Sequence, residues 1–144
     1  MSQEYVQLVL GLQPAPDVDL VQLVRDDSTW SAWAEAIAPT FHGDCEIVSL
    51  GGPEGELTEI GVAGLRTFLR DWLMPWAAYW SEAEAVALGE RVLLVSRDHG
   101  SLPGTAQEVK LTSGEVWSVG DGKIIRVEFY VDLADAHRAV GLGR

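Results

Sequence analysis

The chain has 144 residues, 47% hydrophobic and 22% charged, enough to bury one globular core and too apolar to stay disordered. Its formal net charge of −12 opposes nucleic-acid phosphate and anionic lipid, so neither is an expected partner. The single cysteine, Cys45, excludes an intramolecular disulfide and a multi-thiolate zinc site.

No apolar run approaches the length of a membrane span, and the first residues lack the basic region and long apolar stretch of a signal peptide. Asparagine is absent, which removes any N-glycosylation acceptor. The expected compartment is the cytoplasm. Residues 1–144 read as one domain, without repeats or linkers.

Residues 1–17 form a lead-in: Val6 to Leu12 is apolar, then Pro14-Ala15-Pro16 breaks the chain. A short helix or arm is expected there, packed on the body or on a second subunit. Asp17 or Asp19 opens an amphipathic helix carrying Leu20, Val21, Leu23 and Val24. The next helix starts near Ser28, places Trp30, Trp33, Ala34 and Ile37 at helical spacing, and ends at Pro39. Cys45 to Leu50 reads as a strand closed by Gly51-Gly52-Pro53, followed by a polar loop. Gly61 to Tyr79 reads as helical, with Leu65, Phe68, Leu69, Trp72, Leu73, Trp76 and Tyr79 on one face and a kink or restart at Pro75.

From Glu82 the hydrophobic period falls to two. Glu84 to Leu88, Arg91 to Gly100, Gln107 to Val119 and Lys123 to Val131 predict an antiparallel meander, with turns at Gly89-Glu90 and Gly120-Asp121-Gly122 and a bulge at Ser113-Gly114. On the last strand Ile125, Val127, Phe129 and Val131 share one face, and Arg126, Glu128, Tyr130 and Asp132 the other. Asp132 can cap a closing helix that carries Arg138 in its last turn and stops at Gly141. Helices followed by hairpin strands predict an α+β fold, with N-terminal helices packed on one face of a curved antiparallel sheet.

Three segments carry a family resemblance: Phe41-His42-Gly43-Asp44-Cys45-Glu46-Ile47, Val116-Trp117-Ser118-Val119-Gly120-Asp121-Gly122-Lys123-Ile124, and Val127-Glu128-Phe129-Tyr130-Val131-Asp132. With the order of elements over residues 18–142, they resemble the SnoaL-like branch of the nuclear transport factor two and ketosteroid isomerase-like superfamily. The resemblance implies a cone-shaped α+β fold, a homodimer and a cavity for a small apolar molecule. Relatives include polyketide cyclases, ketosteroid isomerases, limonene-type epoxide hydrolases, scytalone dehydratases and non-catalytic modules. The position of the isomerase base falls at Ser49 or Leu50, which cannot serve. The epoxide hydrolase triad falls at Ser96, Asp98 and Phe129, of which only Asp98 is retained. The cyclase acid has its nearest counterpart in Asp98 or His99.

Ser96-Arg97-Asp98-His99 is the densest cluster of chemically capable side chains. Alternation separates Arg97 and His99 from Ser96 and Asp98, and leaves open which pair faces the interior. An interior Asp98 would be a desolvated acid or base, and an interior His99 an imidazole titrating near neutrality. The competing reading is a solvated strand end. Arg97, Trp117, Glu128 and Tyr130 form a second possible constellation, either a polar ligand pocket or an outer dimer face, with an Arg97–Glu128 ion pair. Trp72, Trp76 and Trp117 could line a cone suited to a flat apolar ligand; helical spacing alone also explains the first two as core. His42 and His137 are dispersed and read as structural or surface residues. The sequence holds no paired metal-ligand spacing, phosphate loop, dinucleotide fingerprint or nucleophile elbow. The expected activity, if any, is therefore acid/base chemistry without metal or cofactor: isomerisation, cyclisation, dehydration or epoxide opening. The alternatives are a ligand-binding or dimeric assembly module, and a dimer whose tryptophans fill the cone.

Overall fold

The computed structural model describes residues 2–51 and 55–142. The elements run α1 (Ser2–Gly11), α2 (Leu20–Arg25), α3 (Asp27–Ile37), β1 (Phe41–Leu50), β2 (Leu57–Ile60), α4 (Gly61–Leu73), β3 (Ala78–Leu88), β4 (Arg91–Ser101), β5 (Glu108–Gly120), β6 (Lys123–Tyr130) and α5 (Leu133–Ala139). The strands form one sheet in the order β2-β1-β6-β5-β4-β3, antiparallel except where β1 pairs in parallel with β6. This is an α+β architecture with α1–α4 on one face of the sheet and the short α5 on the other.

Capping residues set the helix starts. Asp19 accepts from the Val21 backbone N–H at 3.0 Å, and Asp26, rather than Ser28, caps α3 by accepting from Thr29 N–H at 2.9 Å. The same Asp19 oxygen accepts from the Tyr79 backbone N–H at 3.1 Å, which ties the start of α2 to the start of β3. Helix α1 packs on β3 and β4 and buries Val6 and Val9. The core joins α1–α4 to the concave face of the sheet through Val9, Val24, Leu65, Leu73, Tyr79, Leu94, Trp117 and Val127. A smaller cluster of Leu93, Val116 and Ala136 lies under α5 on the opposite face.

Several boundaries differ from the sequence reading, each for a local reason. Helix α4 ends at Leu73, and Tyr79 belongs to β3, so Tyr79 does not extend the α4 stripe. Pro75 cannot continue the helical hydrogen bonding, and the chain turns there instead. The polar loop contains β2, which pairs with β1. Of the Gly51-Gly52-Pro53 stop, only Gly51 lies within the described residues.

Ser113-Gly114 is regularly paired rather than bulged. Gly114 serves close packing: a Cβ there would sit 2.5 Å from the Ala136 Cβ of α5. The bulge falls at Ser118–Val119, where Val119 opposes Ile124 and Ser118 opposes Arg126. It turns Ile124 into the core and leaves Ile125 41% exposed, so Ile125 does not share the inward face of Val127. Val131, past the end of β6, is likewise exposed. Asp121 at φ 53° and Gly122 at φ 77° form the tight turn expected between β5 and β6.

Candidate functional site

Strand register assembles the site. Tyr79 opposes Gly100, Ser81 opposes Asp98, Ala83 opposes Ser96, Leu94 opposes Glu115, and Glu115 opposes Phe129. Of these, Tyr79, Ser81, Ala83, Ser96, Asp98, Glu115 and Phe129 line a cavity of about 290 Å³ under α2 and α4. Trp33, Phe41, Phe68, Trp72, Trp117 and Phe129 supply most of its aromatic wall. Phe68 and Phe129 stack at 4.1 Å and, with Trp72, also border a second groove of about 580 Å³ toward β1 and β2.

Asp98 is buried on the cavity floor at 7% exposure. Its Oδ2 accepts from the Tyr79 hydroxyl at 2.6 Å; its Oδ1 accepts from Ser81 Oγ at 2.6 Å and Ser96 Oγ at 2.5 Å. The two serine hydroxyls are also 2.7 Å apart. Three donors on one carboxylate compensate the loss of water around it. Tyr79 is held by Trp76, which packs against it edge-on at 5.2 Å, and by Gly100, where a Cβ would come within 2.7 Å of the Trp76 ring. Burial, then the adjacent Asp98 charge, drives the Tyr79 hydroxyl far above its ordinary pKa, so it remains a donor.

Glu115 is the second cavity carboxyl. Its Oε1 accepts from Trp117 Nε1 at 2.9 Å. Desolvation pushes its pKa up to about 8; the Trp117 hydrogen bond opposes that rise and the Asp98 charge adds to it. Desolvation therefore favours the protonated form of Glu115 toward neutral pH. The remaining accessibility of this half-buried residue is compatible with so large an effect, because the side chain lines the apolar cavity.

The sequence candidates separate by face. Asp98, Trp72 and Trp117 line the cavity. His99 lies outside it, stacked on Trp80 at 5.2 Å, with Nδ1 3.3 Å from a Glu108 oxygen. Arg97 is also outside, bound to Glu84 at 2.6 Å rather than to Glu128. Glu128 faces outward, accepting from Arg126 Nε at 2.7 Å and from the Tyr130 hydroxyl at 2.9 Å. Tyr130 borders the cavity, but its hydroxyl is committed to that outer network. Trp76 supports Tyr79 and is not in the cavity wall. The constellation of Arg97, Trp117, Glu128 and Tyr130 is thus divided: alternation along β5 sends Trp117 inward between Val92 and Val127.

Tyr79, Ser81 and Glu115 were not among the sequence candidates. Tyr79 was hidden by the helical reading of its segment. Glu115 had an available signal, since it precedes Trp117 by two residues and so shares its face. Buried Cys45 has its thiol pushed up to about 12, chiefly by desolvation, which leaves it unreactive. Among the described residues no three His, Cys, Asp or Glu side chains converge as a metal site, and no helix is long and apolar enough to cross a membrane.

No family model and no curated protein matches the chain. Its shape does match solved structures: TerC, co-crystallised with polyporic acid, aligns at TM-score 0.60 and 23% identity, covering 94% of this chain and 96% of TerC. This is the nuclear transport factor two-like fold. A hypothetical protein with a ketosteroid isomerase-like fold from Catenulispora acidiphila, in complex with trimethylamine, aligns at TM-score 0.55 and 14% identity over 85% of this chain and 88% of its own. A SnoaL-like, polyketide cyclase-type protein from Jannaschia shares the fold at 0.57 and 15% over 92% and 99%. Proteins with the nuclear transport factor two-like fold thus include small-molecule binders, and at these identities the likeness extends to the fold alone.

Proposed function

We propose that the chain binds a small apolar, cyclic molecule in its cone and carries out proton transfer on it, with Asp98 and Glu115 in complementary roles. The observation that carries this reading is the presence of two differently equipped carboxyls in one aromatic cavity. Asp98 is surrounded by hydroxyl donors; Glu115 is desolvated and holds its proton. Environments that separate two acids in this way assign them opposite tasks. Glu115 is the proton donor, and its raised value lies near the working pH of a general acid. Asp98 is the acceptor. When it takes a proton, Ser81 Oγ or Ser96 Oγ can rotate from donating to accepting, because hydroxyl hydrogens are free rotors. The aromatic wall excludes water and supplies apolar contact. Isomerisation, cyclisation, dehydration and epoxide opening all fit a donor and an acceptor so arranged.

His99 and Arg97 have no part in this mechanism, and Tyr130 acts only as part of the wall. The test is a panel of cyclic enones, ketones and epoxides followed by NMR in deuterated buffer, where proton transfer appears as deuterium incorporation or as product. Asp98→Asn and Glu115→Gln should each lower the rate by about a hundredfold or more. Equal rates in both variants would remove the catalytic assignment. A second reading, ligand binding without turnover, is favoured by the saturation of Asp98 by protein donors; it predicts binding across the panel with no exchange.

The proposal extends to a homodimer, formed through the part of the outer face of β4–β6 that α5 leaves uncovered. Sedimentation giving only monomer would overturn it.

A further inference from the structure

The charged and polar inventory of the cavity is one-sided. Among the described residues, its charged lining groups are Glu82, Asp98 and Glu115, with no arginine, lysine or histidine. Glu82 is exposed and opposes Arg97 on the outer face, so the interior carboxyls are Asp98 and Glu115. The Tyr79, Ser81 and Ser96 hydroxyls are committed to Asp98, and the Gln13 amide donates to the Val9 carbonyl at 3.0 Å. Among the described lining residues Ser113 keeps an unengaged hydroxyl, and one hydroxyl with no cationic side chain beside it does not make a cradle for an anion. Glu115 is different: Trp117 occupies one oxygen, and no described residue bonds the other. Phe129 lies opposite Glu115 on β6 and Trp117 bonds it, while Phe68 and Trp72 line the same cavity; aromatic rings attract cations to their faces.

We infer that the ligand of this cavity carries a basic nitrogen on an apolar body, and that Glu115 pairs with that nitrogen as its ammonium. The inference rests on the reading of the cone as a small-molecule site and narrows its ligand class. The proton balance is simple. A free amine takes the proton of the Glu115 carboxyl, giving an ammonium–carboxylate pair. An amine arriving already protonated pairs with Glu115 carboxylate, and the carboxyl proton goes to buffer. Among the described lining residues, the ionisable side chains on the face of Glu115 are Asp98 on β4 and Tyr79 on β3; Glu82 and Tyr130 border the cavity from the alternate face, and α2 and α4 present apolar residues. Asp98 adds a second negative charge that favours the cation in either route. The net charge of −12 also draws cations toward the protein.

The test compares three near-isosteric probes by tryptophan fluorescence and calorimetry at about pH 7: N,N-dimethylbenzylamine, isobutylbenzene and phenylacetate. The amine should bind about tenfold or more tighter than isobutylbenzene, the scale of a desolvated cation–π contact, and phenylacetate weakest. Calorimetry in buffers of different ionisation enthalpy should show release of about one proton per amine bound. Glu115→Gln should abolish that release, with circular dichroism establishing that the variant is folded. Isobutylbenzene or phenylacetate binding as tightly as the amine, or amine binding without proton release, would overturn the inference while leaving the cone a binding site. Binding of none of the three would overturn the small-molecule reading itself.

Discussion

Glu115→Gln should make the protein less sensitive to rising pH. In the unfolded chain this carboxyl ionises near its ordinary 4.5, whereas in the folded protein it keeps its proton to about 8. Between those values the native state binds the additional proton, so stability falls as pH rises. The contribution is whole below about pH 4.5, erodes across the interval and levels off above about pH 8. The slope is about 1.4 kcal/mol per pH unit, so moving from about pH 5.5 to pH 7.5 should cost about 2 to 3 kcal/mol through this residue. Glutamine keeps the shape and an oxygen to accept from Trp117 Nε1, but has no proton to lose. Urea unfolding of both proteins at several pH values isolates the effect, because every other titration is common to the two. The difference in unfolding free energy should move in favour of the variant as pH rises. Parallel curves would mean that Glu115 ionises in the native cavity as it does in water, and would refute the argument from desolvation.

Tyr79→Phe removes one of the three donors to Asp98 and should destabilise the protein by about 1–3 kcal/mol, measured by chemical denaturation. Asp19→Ala loses both the α2 cap and the tie to the Tyr79 N–H; a loss of about 1–2 kcal/mol is expected, and no change in the denaturation midpoint would contradict it. Gly100→Ala sets a methyl 2.7 Å from the Trp76 ring and 3.0 Å from the Ala78 carbonyl oxygen, so a loss of about 1–3 kcal/mol should accompany an altered near-UV spectrum.

Much of the architecture was legible because its signals are local. The change from helical spacing to alternation at Glu82 marks the passage from helices to meander, and Asp121-Gly122 announces its last turn by composition. Asp132 reads as a cap from sequence and does cap α5, accepting from Ala134 N–H at 2.9 Å. The missed features depend on partners distant in sequence. Leu57–Ile60 is too short and too polar to read as a strand, and forms one because β1 offers it an edge. Gly114 looks like a bulge residue until Ala136 is set against it.

The site was less legible than the fold, because a cavity is defined by parity and parity is decided by register. Alternation in Ser96-Arg97-Asp98-His99 separates two pairs but cannot orient them. The turn at Gly89-Glu90 sets the pairing of Ser81 with Asp98, but the pairing of Leu94 with Glu115 spans the longer connection over 102–107, and neither pairing says which face the helices cover. Once Leu94 is in the core, Ser96 and Asp98 must follow it inward, and Arg97 and His99 must face out. The same rule carries Glu115 inward with Trp117. The bulge at Ser118–Val119 is what misleads on β6: counting back from Phe129 by twos reaches Val127 correctly and then Ile125 wrongly, because one extra residue is accommodated there. The tight turn at Asp121-Gly122 followed by the apolar pair Ile124-Ile125 is the local mark of that bulge, with Ile124 opposite Val119. An acidic residue two positions from an inward tryptophan is then the feature to seek in a strand of this kind, since burial makes such a carboxyl chemically distinct from its exposed neighbours.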